Sequence, residues 1–529
     1  MAPQKSILRL ATFLIVANCA FATAANRPNI ILFLVDDYDK PETSVYGGNV
    51  LTPNLDRLAR EGMTFHNAHV TSTVCTPSRY TFLTGRYAGA STFPTYIETF
   101  GTENQGLPGF NMGLEDDNMN VGAVLSDHGY TTGFVGKYHV GHDYEKGEGE
   151  DAVIRPIGKK SPYTDELNEQ YDINEKRYRE LIKERGFTWA KNIYWNNFKQ
   201  PFHGHNPEWT IQAALEFVDL HHDQPFYLHY STTLLHGTNK EWDRSLREKA
   251  LTTGEGILDQ PLQVMPPRDS VLERNQAAGL SREEVGYLWM DDSLGMLLDK
   301  LDELGIAENT VVVFVSDHGS NKKGSLFKSR GTEVPCLVRW PAVIDGGTKS
   351  HELLQNTDFV PTWFDLADAK LPDDYLLHGV SLLPLFKDPT QTVREFVYGE
   401  MGAARSVKTK QWNYISLRYT ADQISDFNSR KNRSLKPLLG LSGGISRSAR
   451  FHPSAFDLDQ LYSLNVDPDE QNNLAEEEAN KGQLVAMQTL LRKELQRLKR
   501  PYGEFVVGGN AASREASLPL KAALKKQGN

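Results

Sequence analysis

Four runs of apolar residues mark the first part of this chain, and each one ends beside reactive or charged side chains. The runs are Asn29 to Val35, Thr131 to Val135, Pro225 to Tyr230 and Thr310 to Ser316. Their apolar residues are continuous and do not alternate with polar ones, which is typical of strands covered on both faces, as in parallel α/β sheets. Helical patterns lie between the runs, around Pro53 to Ala59 and Met290 to Leu304. The sequence therefore predicts an α/β fold with a large, mostly parallel sheet sandwiched by helices.

The residues that follow these runs carry side chains suited to metal binding and acid–base catalysis. Asp36 and Asp37 follow the first run, Lys137 and His139 the second, His236 the third, and Asp317 and His318 the fourth. Ligands of such sheets bind beyond the carboxyl ends of the strands, so we expect these side chains to form one shared site. Like charges as close as those of Asp36 and Asp37 are costly unless a cation lies between them.

Composition limits the class of protein. A chain of 529 residues exceeds what one core normally supports, so we expect two domains. The net charge of −11, with no basic tail and no nucleic-acid motif, argues against a nucleic-acid partner. Any anionic ligand must then be captured by local cations, since the overall field of the protein opposes it.

The first 25 residues have the pattern of a signal peptide. Lys5 and Arg9 are followed by a short apolar run, Ala11 to Ala22, and by the small residues Ala22-Thr23-Ala24. A membrane anchor is the alternative, although the run is short for spanning a bilayer. We therefore predict export to the periplasm or the extracellular space (the lysosome or secretory route in a eukaryote), without stable membrane insertion after cleavage.

After such cleavage only two cysteines remain, Cys75 and Cys336. Two cysteines do not form a disulfide framework in a chain of this size. Cys336 lies within an apolar stretch, Val334 to Val338, and is predicted to be a core residue.

Cys75 begins the most specific motif of the chain. It opens Cys75-Thr76-Pro77-Ser78-Arg79, and Leu83-Thr84-Gly85-Arg86 follows in register. This segment resembles the signature of the type I sulfatases, which belong to the alkaline-phosphatase-like superfamily. The resemblance implies that a maturation enzyme oxidises Cys75 to formylglycine (3-oxoalanine) before the chain folds. The hydrated aldehyde carries two hydroxyls on one carbon: one attacks sulfur, and deprotonation of the other expels sulfate and restores the aldehyde.

The resemblance also implies a metal site. In this chain Asp36, Asp37, Asp317, His318 and the modified Cys75 would bind one divalent cation. Oxygen-rich binding favours Ca²⁺, whereas the imidazole of His318, where many relatives have Asn, leaves Mn²⁺ and Mg²⁺ open.

Further catalytic roles follow from the same resemblance. Arg79 would orient the hydrate, Lys137 would bind sulfate oxygens, and His139 would take the proton from the free hydroxyl. Tyr138 replaces the tryptophan that is usual beside them. His236 would protonate the leaving group, although Gly237 stands where a proline is usual.

A second lysine of the site is harder to identify from the sequence. The spacing to Val334-Pro335 selects Lys323 as the residue that binds substrate, with Lys322 and Lys328 as alternatives. Two further histidines, His128 and His229, are predicted to be structural.

A second region begins near residue 391. Short strand patterns occur at Glu395 to Tyr398, Ser406 to Lys408, Trp412 to Leu417 and Gln460 to Leu464, and a helical pattern runs from about Glu478 to Leu498. The segment resembles the smaller C-terminal domain of sulfatases, an antiparallel sheet with one packed helix. The expected organisation is a signal peptide (1–25), a catalytic domain (26–390), a C-terminal α+β subdomain (391–510) and a flexible tail (511–529).

The stretch from Arg418 to Arg450 has a local excess of positive charge. It either is a solvated surface loop or reaches the mouth of the site, where it would hold anionic groups of neighbouring sugars.

These observations predict an exported sulfatase that hydrolyses sulfate esters of a carbohydrate or polysaccharide. One alternative is a phosphonate or phosphate ester hydrolase of the same superfamily. The other is a glycan-binding homologue that has lost catalysis.

Overall fold

The structure of the protein is a computed structural model. It describes residues 27–103, 105–109, 111–141, 162–198, 201–249, 251–418, 452–455 and 457–502. The predicted signal peptide, the tail from residue 511 onward and the basic stretch beyond Arg418 lie outside these residues.

A sheet of eight strands forms the centre of the molecule. Its strands are β1 (Asn29–Val35), β2 (Met63–His69), β3 (Thr131–Lys137), β4 (Trp189–Tyr194), β5 (Phe226–Ser231), β8 (Thr310–Ser316), β9 (Cys336–Arg339) and β10 (Thr348–Gln355). The strand order is β10-β2-β9-β8-β1-β5-β3-β4, and only β9 runs antiparallel to its neighbours. The predicted large, mostly parallel sheet is confirmed.

Helices cover both faces of this sheet. They are α1 (Pro53–Glu61), α2 (Cys75–Thr84), α3 (Pro94–Phe100), α4 (Val121–Asp127), α5 (Asp165–Glu184), α6 (Pro207–His221), α7 (Asn239–Arg247), α8 (Arg268–Ala277), α9 (Val285–Glu303), α10 (Phe359–Leu366) and α11 (Leu383–Lys387), whereas α12 (Lys481–Leu495) belongs to the C-terminal region. Along β1, Leu32 and Leu34 pack into one apolar core, with residues of α2, α4, α5 and α10. Phe33 and Val35 pack into the other, with residues of α1, α6 and α9. Both faces of β1 are buried, and for that reason its apolar run is continuous.

The C-terminal region forms a second, antiparallel sheet. Its strands are β11 (Val397–Met401), β12 (Ala404–Lys408), β13 (Trp412–Leu417) and β14 (Asp459–Ser463), in that spatial order. Helix α12 packs on this sheet through Met487 and Leu491, and Tyr87 joins the same cluster. The strands β6 (Leu251–Thr253) and β7 (Gly256–Leu258) form a separate two-stranded sheet. The predicted antiparallel sheet with one helix is confirmed, whereas the division at residues 390 and 391 stays a prediction.

Some predicted bounds are wrong. The strand expected at Glu395 to Tyr398 runs instead from Val397 to Met401. Glu400 is buried there and accepts a hydrogen bond from the backbone N–H of Gly89 at 3.0 Å, which a pattern based on apolar residues does not detect.

Two smaller predictions have clear outcomes. Arg418 was counted with the basic stretch, but its guanidinium is buried and pairs with Asp459 at 2.8 Å. Cys75 and Cys336 are both free, and Cys336 is a core residue, as predicted. Among the described helices, none combines the length and hydropathy needed to cross a membrane.

Candidate active site

The site lies at the carboxyl edge of the large sheet, around the thiol of Cys75. Its Sγ atom lies 3.3 Å from Nε2 of His318 and 3.6 Å from Oδ1 of Asp36. Two ammonium groups complete its surroundings, that of Lys323 at 3.5 Å and that of Lys137 at 3.8 Å. Residues from the ends of β1, β3 and β8 are thus brought together, as the strand pattern predicted.

Cys75 itself is the first residue of α2 and is fully buried. The thiol lies among polar groups at the carboxyl ends of β1, β3 and β8. Burial raises the pKa of the Cys75 thiol to about 12, although Lys137 and Lys323 oppose the shift.

Asp36 and Asp37 are held in their ionised forms by neighbouring cations. Burial alone would raise the pKa of Asp36, but the charges of Lys137 and Arg79 hold it well below its usual value. The Asp37 carboxylate accepts hydrogen bonds from Nζ of Lys323 at 2.8 and 3.0 Å, and its pKa is likewise lowered. Asp37 adopts a left-handed backbone conformation, with φ 59°, which is uncommon outside glycine and recurs at functional sites.

Asp317 has a different environment. One of its carboxylate oxygens accepts the backbone N–H of Asp37 at 3.0 Å, and the other accepts Nε of Arg79 at 3.1 Å. Burial raises the pKa of Asp317 despite the positive charges beside it.

Four of the five predicted metal-binding residues form one compact group. Asp36, Asp37, Cys75 and His318 each offer a ligand atom, and these atoms all lie within 4.8 Å of one another. Two ionised carboxylates and an imidazole fit a divalent cation. Asp317 is outside this group, although its Oδ1 atom lies 3.7 Å from Nε2 of His318. Its role as a ligand stays a prediction.

Arg79 is buried and fixed by several partners. Its guanidinium donates to the backbone carbonyl of Lys137 at 3.0 Å and to the hydroxyl of Ser231, in addition to Asp317. The side chain thereby ties α2 to the ends of β3 and β5. This geometry suits the orienting role expected of Arg79.

The three candidate lysines occupy different places. Lys323 reaches Cys75 and Asp37. The ammonium group of Lys322 instead lies over the ring of Phe327, and that of Lys328 pairs with Glu333 at 3.6 Å. Geometry therefore favours Lys323.

The remaining predicted residues also lie near the carboxyl edge. Lys137 is the last residue of β3 and not, as expected, part of the loop beyond it, because β3 continues through Gly136. It forms an ion pair with Asp36. His139 is buried, and its carbonyl accepts the hydroxyl of Thr76 in α2 at 2.9 Å.

His236 lies on the loop after β5. Burial and the charge of Lys137 lower its pKa to about 3. Its Nε2 atom lies 3.2 Å from the amide nitrogen of Asn197, a residue that the sequence did not single out. An isolated Asn carries no recognisable motif, so the sequence gives no signal for this contact.

Two histidines are structural, as predicted. His229 is buried, contacts the hydroxyl of Tyr227 at 3.0 Å and stacks on Phe134. His128 follows α4, where its two ring nitrogens contact the carbonyl of Val124 and the backbone N–H of Lys370.

The chain is similar to known proteins over most of its length. Residues 28–369 match the family described as Sulfatase, and residues 317–432 match the family described as N-sulphoglucosamine sulphohydrolase, C-terminal. An N-acetylglucosamine-6-O-sulfatase of Bacteroides thetaiotaomicron is 25% identical over 89% of this chain and 93% of its own length. An arylsulfatase of Hemicentrotus pulcherrimus is 26% identical over 67% of this chain and 61% of its own length.

Solved structures share the fold. One is a protein in complex with its substrate, D-glucosamine-2-N,6-O-disulfate, with a TM-score of 0.57 and 19% identity over 89% of this chain and 98% of that chain. The family match covers the large sheet and the residues gathered around Cys75. The chain belongs to the sulfatase family, and it is a sulfuric ester hydrolase.

Proposed function

We propose that this sulfatase is exported and removes sulfate from a carbohydrate, using a formylglycine derived from Cys75 and one divalent cation, with Ca²⁺ preferred. The observation that carries the proposal is the surroundings of the Cys75 side chain. Two ammonium groups, an ionised carboxylate and an imidazole all lie within 3.8 Å of its Sγ atom.

An unmodified thiol suits this site poorly. With a pKa of about 12 it is protonated at neutral pH and is a weak nucleophile. A thiol also has no easy route for releasing a sulfate group bound to it. Formylglycine, once hydrated, supplies a nucleophilic hydroxyl and a second hydroxyl through which sulfate can leave. Conversion of Cys75 by a maturation enzyme is therefore part of the proposal.

The cation would be held by Asp36, Asp37, His318 and the modified residue 75, with Asp317 as the fifth proposed ligand. When bound, it supplies Lewis-acid polarisation at the reacting centre. The ion pairs of Asp36 and Asp37 with the two lysines keep both carboxylates ionised and ready to bind it.

The other residues of the site bind the sulfate group and move protons. The ammonium group of Lys137 lies beside Asp36 and that of Lys323 beside Asp37. Both ammonium groups can therefore neutralise the negative charge that develops on the sulfate oxygens. Arg79 ties the helix that begins at residue 75 to Asp317, and so fixes the position of residue 75 relative to this carboxylate. His139 would accept the proton of the free hydroxyl, and His236 would donate one to the leaving alcohol. The low pKa of His236 leaves it neutral in the free enzyme, so an incoming anion must favour its protonation.

A carbohydrate substrate is supported by the relatives. One relative is named as an N-acetylglucosamine-6-O-sulfatase, another as an ulvan-active sulfatase, and one structural neighbour holds a sulfated glucosamine. The pattern of the first 25 residues supports export.

The test compares sulfate and phosphate esters of the same alcohol as substrates of the mature enzyme. We expect N-acetylglucosamine-6-sulfate or a sulfated oligosaccharide to be hydrolysed faster than the matching phosphate monoester. Cys75→Ala, and Cys75→Ser in a host that matures only cysteine, should both be inactive. Preferential phosphate release, or normal sulfate release by Cys75→Ala, would contradict the proposal.

A further inference from the structure

Three polar side chains of the C-terminal region are buried against the segment that follows Lys323. They are Lys408 on β12, Asn413 on β13 and Glu470 on the turn after β14, with exposed fractions of 2%, 0% and 0%. We call these three residues the polar clamp. Burying an ammonium group and a carboxylate is costly unless each forms hydrogen bonds or an ion pair.

The clamp binds the backbone of the catalytic region. Nζ of Lys408 donates to the hydroxyl of Thr332 at 3.1 Å and to the carbonyl of Leu326 at 3.4 Å. Nδ2 of Asn413 donates to the same Leu326 carbonyl at 3.3 Å. Two side chains of the C-terminal sheet therefore share one acceptor three residues beyond Lys323.

Glu470 completes the clamp. One of its carboxylate oxygens accepts the backbone N–H of Lys328 at 2.7 Å, and the other accepts the amide of Asn413. The negative charge of Glu470 and the positive charge of Lys408 attract each other in the same buried space. Beside them, the ring of His452 stacks on Phe327 with 3.5 Å between ring centroids.

The opposite side of this segment rests on the Cys75 segment. The backbone N–H of Gly324 donates to the carbonyl of Thr73 at 2.9 Å, and the hydroxyl of Thr73 donates to the carbonyl of Ser325 at 2.7 Å. Thr73 precedes Cys75 by two residues. The segment with Lys323 is thus held between the Cys75 segment on one side and the C-terminal sheet on the other.

We propose that Lys408, Asn413 and Glu470 are positioning residues of the sulfatase reaction, because they fix the backbone beyond Lys323 and so hold its ammonium group beside residue 75. This inference rests on the proposed role of Lys323 in the reaction. The lysine side chain is long and flexible, so the backbone that bears it must supply the precision. A misplacement of about 1 Å at a reacting centre can cost two orders of magnitude in rate.

Glu470→Gln tests the proposal, with Glu494→Gln as its matched control. Glu494 is also a buried carboxylate of the C-terminal region, and it accepts the hydroxyl of Tyr87 at 2.7 Å, but it does not touch the segment after Lys323. We expect Glu470→Gln to lower kcat/KM by about tenfold or more. Glu494→Gln should stay within about twofold of the wild type while losing comparable thermal stability.

A double-mutant cycle separates positioning from general destabilisation. In a Lys323→Ala background, Glu470→Gln should cause no further loss of kcat/KM, because the group that it positions is absent. Fully additive losses, or equal losses in Glu470→Gln and Glu494→Gln, would overturn the inference and leave the proposed function standing. Wild-type activity in Lys323→Ala would overturn the role of Lys323 and the inference together.

A second variant and a second readout protect the test against poor folding. Lys408→Met keeps a long apolar stem and should reproduce the pattern of Glu470→Gln. In the folded protein, amide hydrogen exchange over residues 324–333 should accelerate in either variant and not in Glu494→Gln. Unchanged exchange in this segment would contradict the clamp.

Discussion

Each carboxylate at the centre of the site has its own cationic partner. Asp36 pairs with Lys137, Asp37 with Lys323 and Asp317 with Arg79. Because these pairs are buried, removal of one member leaves an uncompensated charge, which is costly. Each cation therefore stabilises the carboxylate beside it, in addition to the substrate-binding or orienting role that we propose for it.

Lys323→Ala and Lys322→Ala form a matched pair of neighbouring substitutions. We expect Lys323→Ala to reduce kcat/KM by about 10²-fold or more, because it removes the ammonium group that lies 3.5 Å from Sγ of Cys75. Lys322 packs over Phe327, so Lys322→Ala should stay within a few-fold of the wild type. Steady-state kinetics with one sulfated sugar decide the matter. The reverse order of effects would assign the substrate-binding role to Lys322.

At the scale of elements, the sequence predicts the central strands better than the outer ones. Strands β1 and β8 are buried on both faces, so their apolar residues are continuous and easy to recognise. β10, at the edge of the sheet, exposes Lys349 and His351 and has no such run. The position of this edge strand therefore depends on tertiary packing, which the sequence pattern does not reveal.

Gly136 lies in β3 immediately before Lys137, with φ 88°. A Cβ atom there would lie 2.0 Å from the carbonyl oxygen of Ser231 on β5. We expect Gly136→Ala to force β3 and β5 apart, to displace Lys137, and to lose activity as well as stability.

Gly129→Ala is the control for this substitution. Gly129 has φ 83°, but its Cβ would meet nothing closer than 3.9 Å. Backbone strain alone should cost about 1–2 kcal/mol in the free energy of unfolding and leave kcat unchanged. Denaturant unfolding and kinetics of both variants provide the comparison. Equal losses of stability would show that the Ser231 contact is unimportant.

Lys408, the residue of the polar clamp on β12, should make the free energy of unfolding depend on pH. Burial lowers the pKa of Lys408 to about 8, despite the attraction of Glu470. The other charged or titratable groups near it are Lys328, Glu333 and His69. The unfolded chain, with a lysine pKa of about 10.4, binds more protons than the folded protein between about pH 8 and 10. The free energy of unfolding contributed by Lys408 therefore rises with pH in that window.

Denaturant unfolding of the wild type and of Lys408→Met checks this sign. The free energy of unfolding of the wild type, relative to the variant, should increase from about pH 8 to about pH 10. A difference that is constant over this window, or that decreases, would contradict the lowered pKa of the buried Lys408.

At the scale of the whole molecule, the site joins segments that are far apart in sequence. Cys75 and His318, for example, are 243 residues apart and lie within 3.3 Å of each other. Motifs and strand ends predicted which residues meet around Cys75, because their chemistry is visible in the sequence. The contacts of Asn197 and of Glu470 were not predictable, because an isolated Asn or Glu is normally a surface residue.

Metal content should depend on the group of four ligand residues. We expect Asp37→Asn to lose bound divalent ion and activity together, and chelation of the wild type to have the same effect. Asp291→Asn is the control, since Asp291 is also buried but caps α1 by accepting the backbone N–H of Leu55 at 2.8 Å. Elemental analysis of the purified proteins gives the result. A full complement of metal in Asp37→Asn would exclude Asp37 as a ligand.

The central claim is that Cys75 acts as formylglycine, and mass spectrometry of one peptide tests it most directly. Trypsin should release the peptide from Glu61 to Arg79, in which Cys75 is the only cysteine. In enzyme produced with a maturation enzyme, we predict a fraction of this peptide with an aldehyde in place of the thiol, and a specific activity proportional to that fraction. Full sulfatase activity in a preparation whose Cys75 is entirely an unmodified thiol would contradict the account.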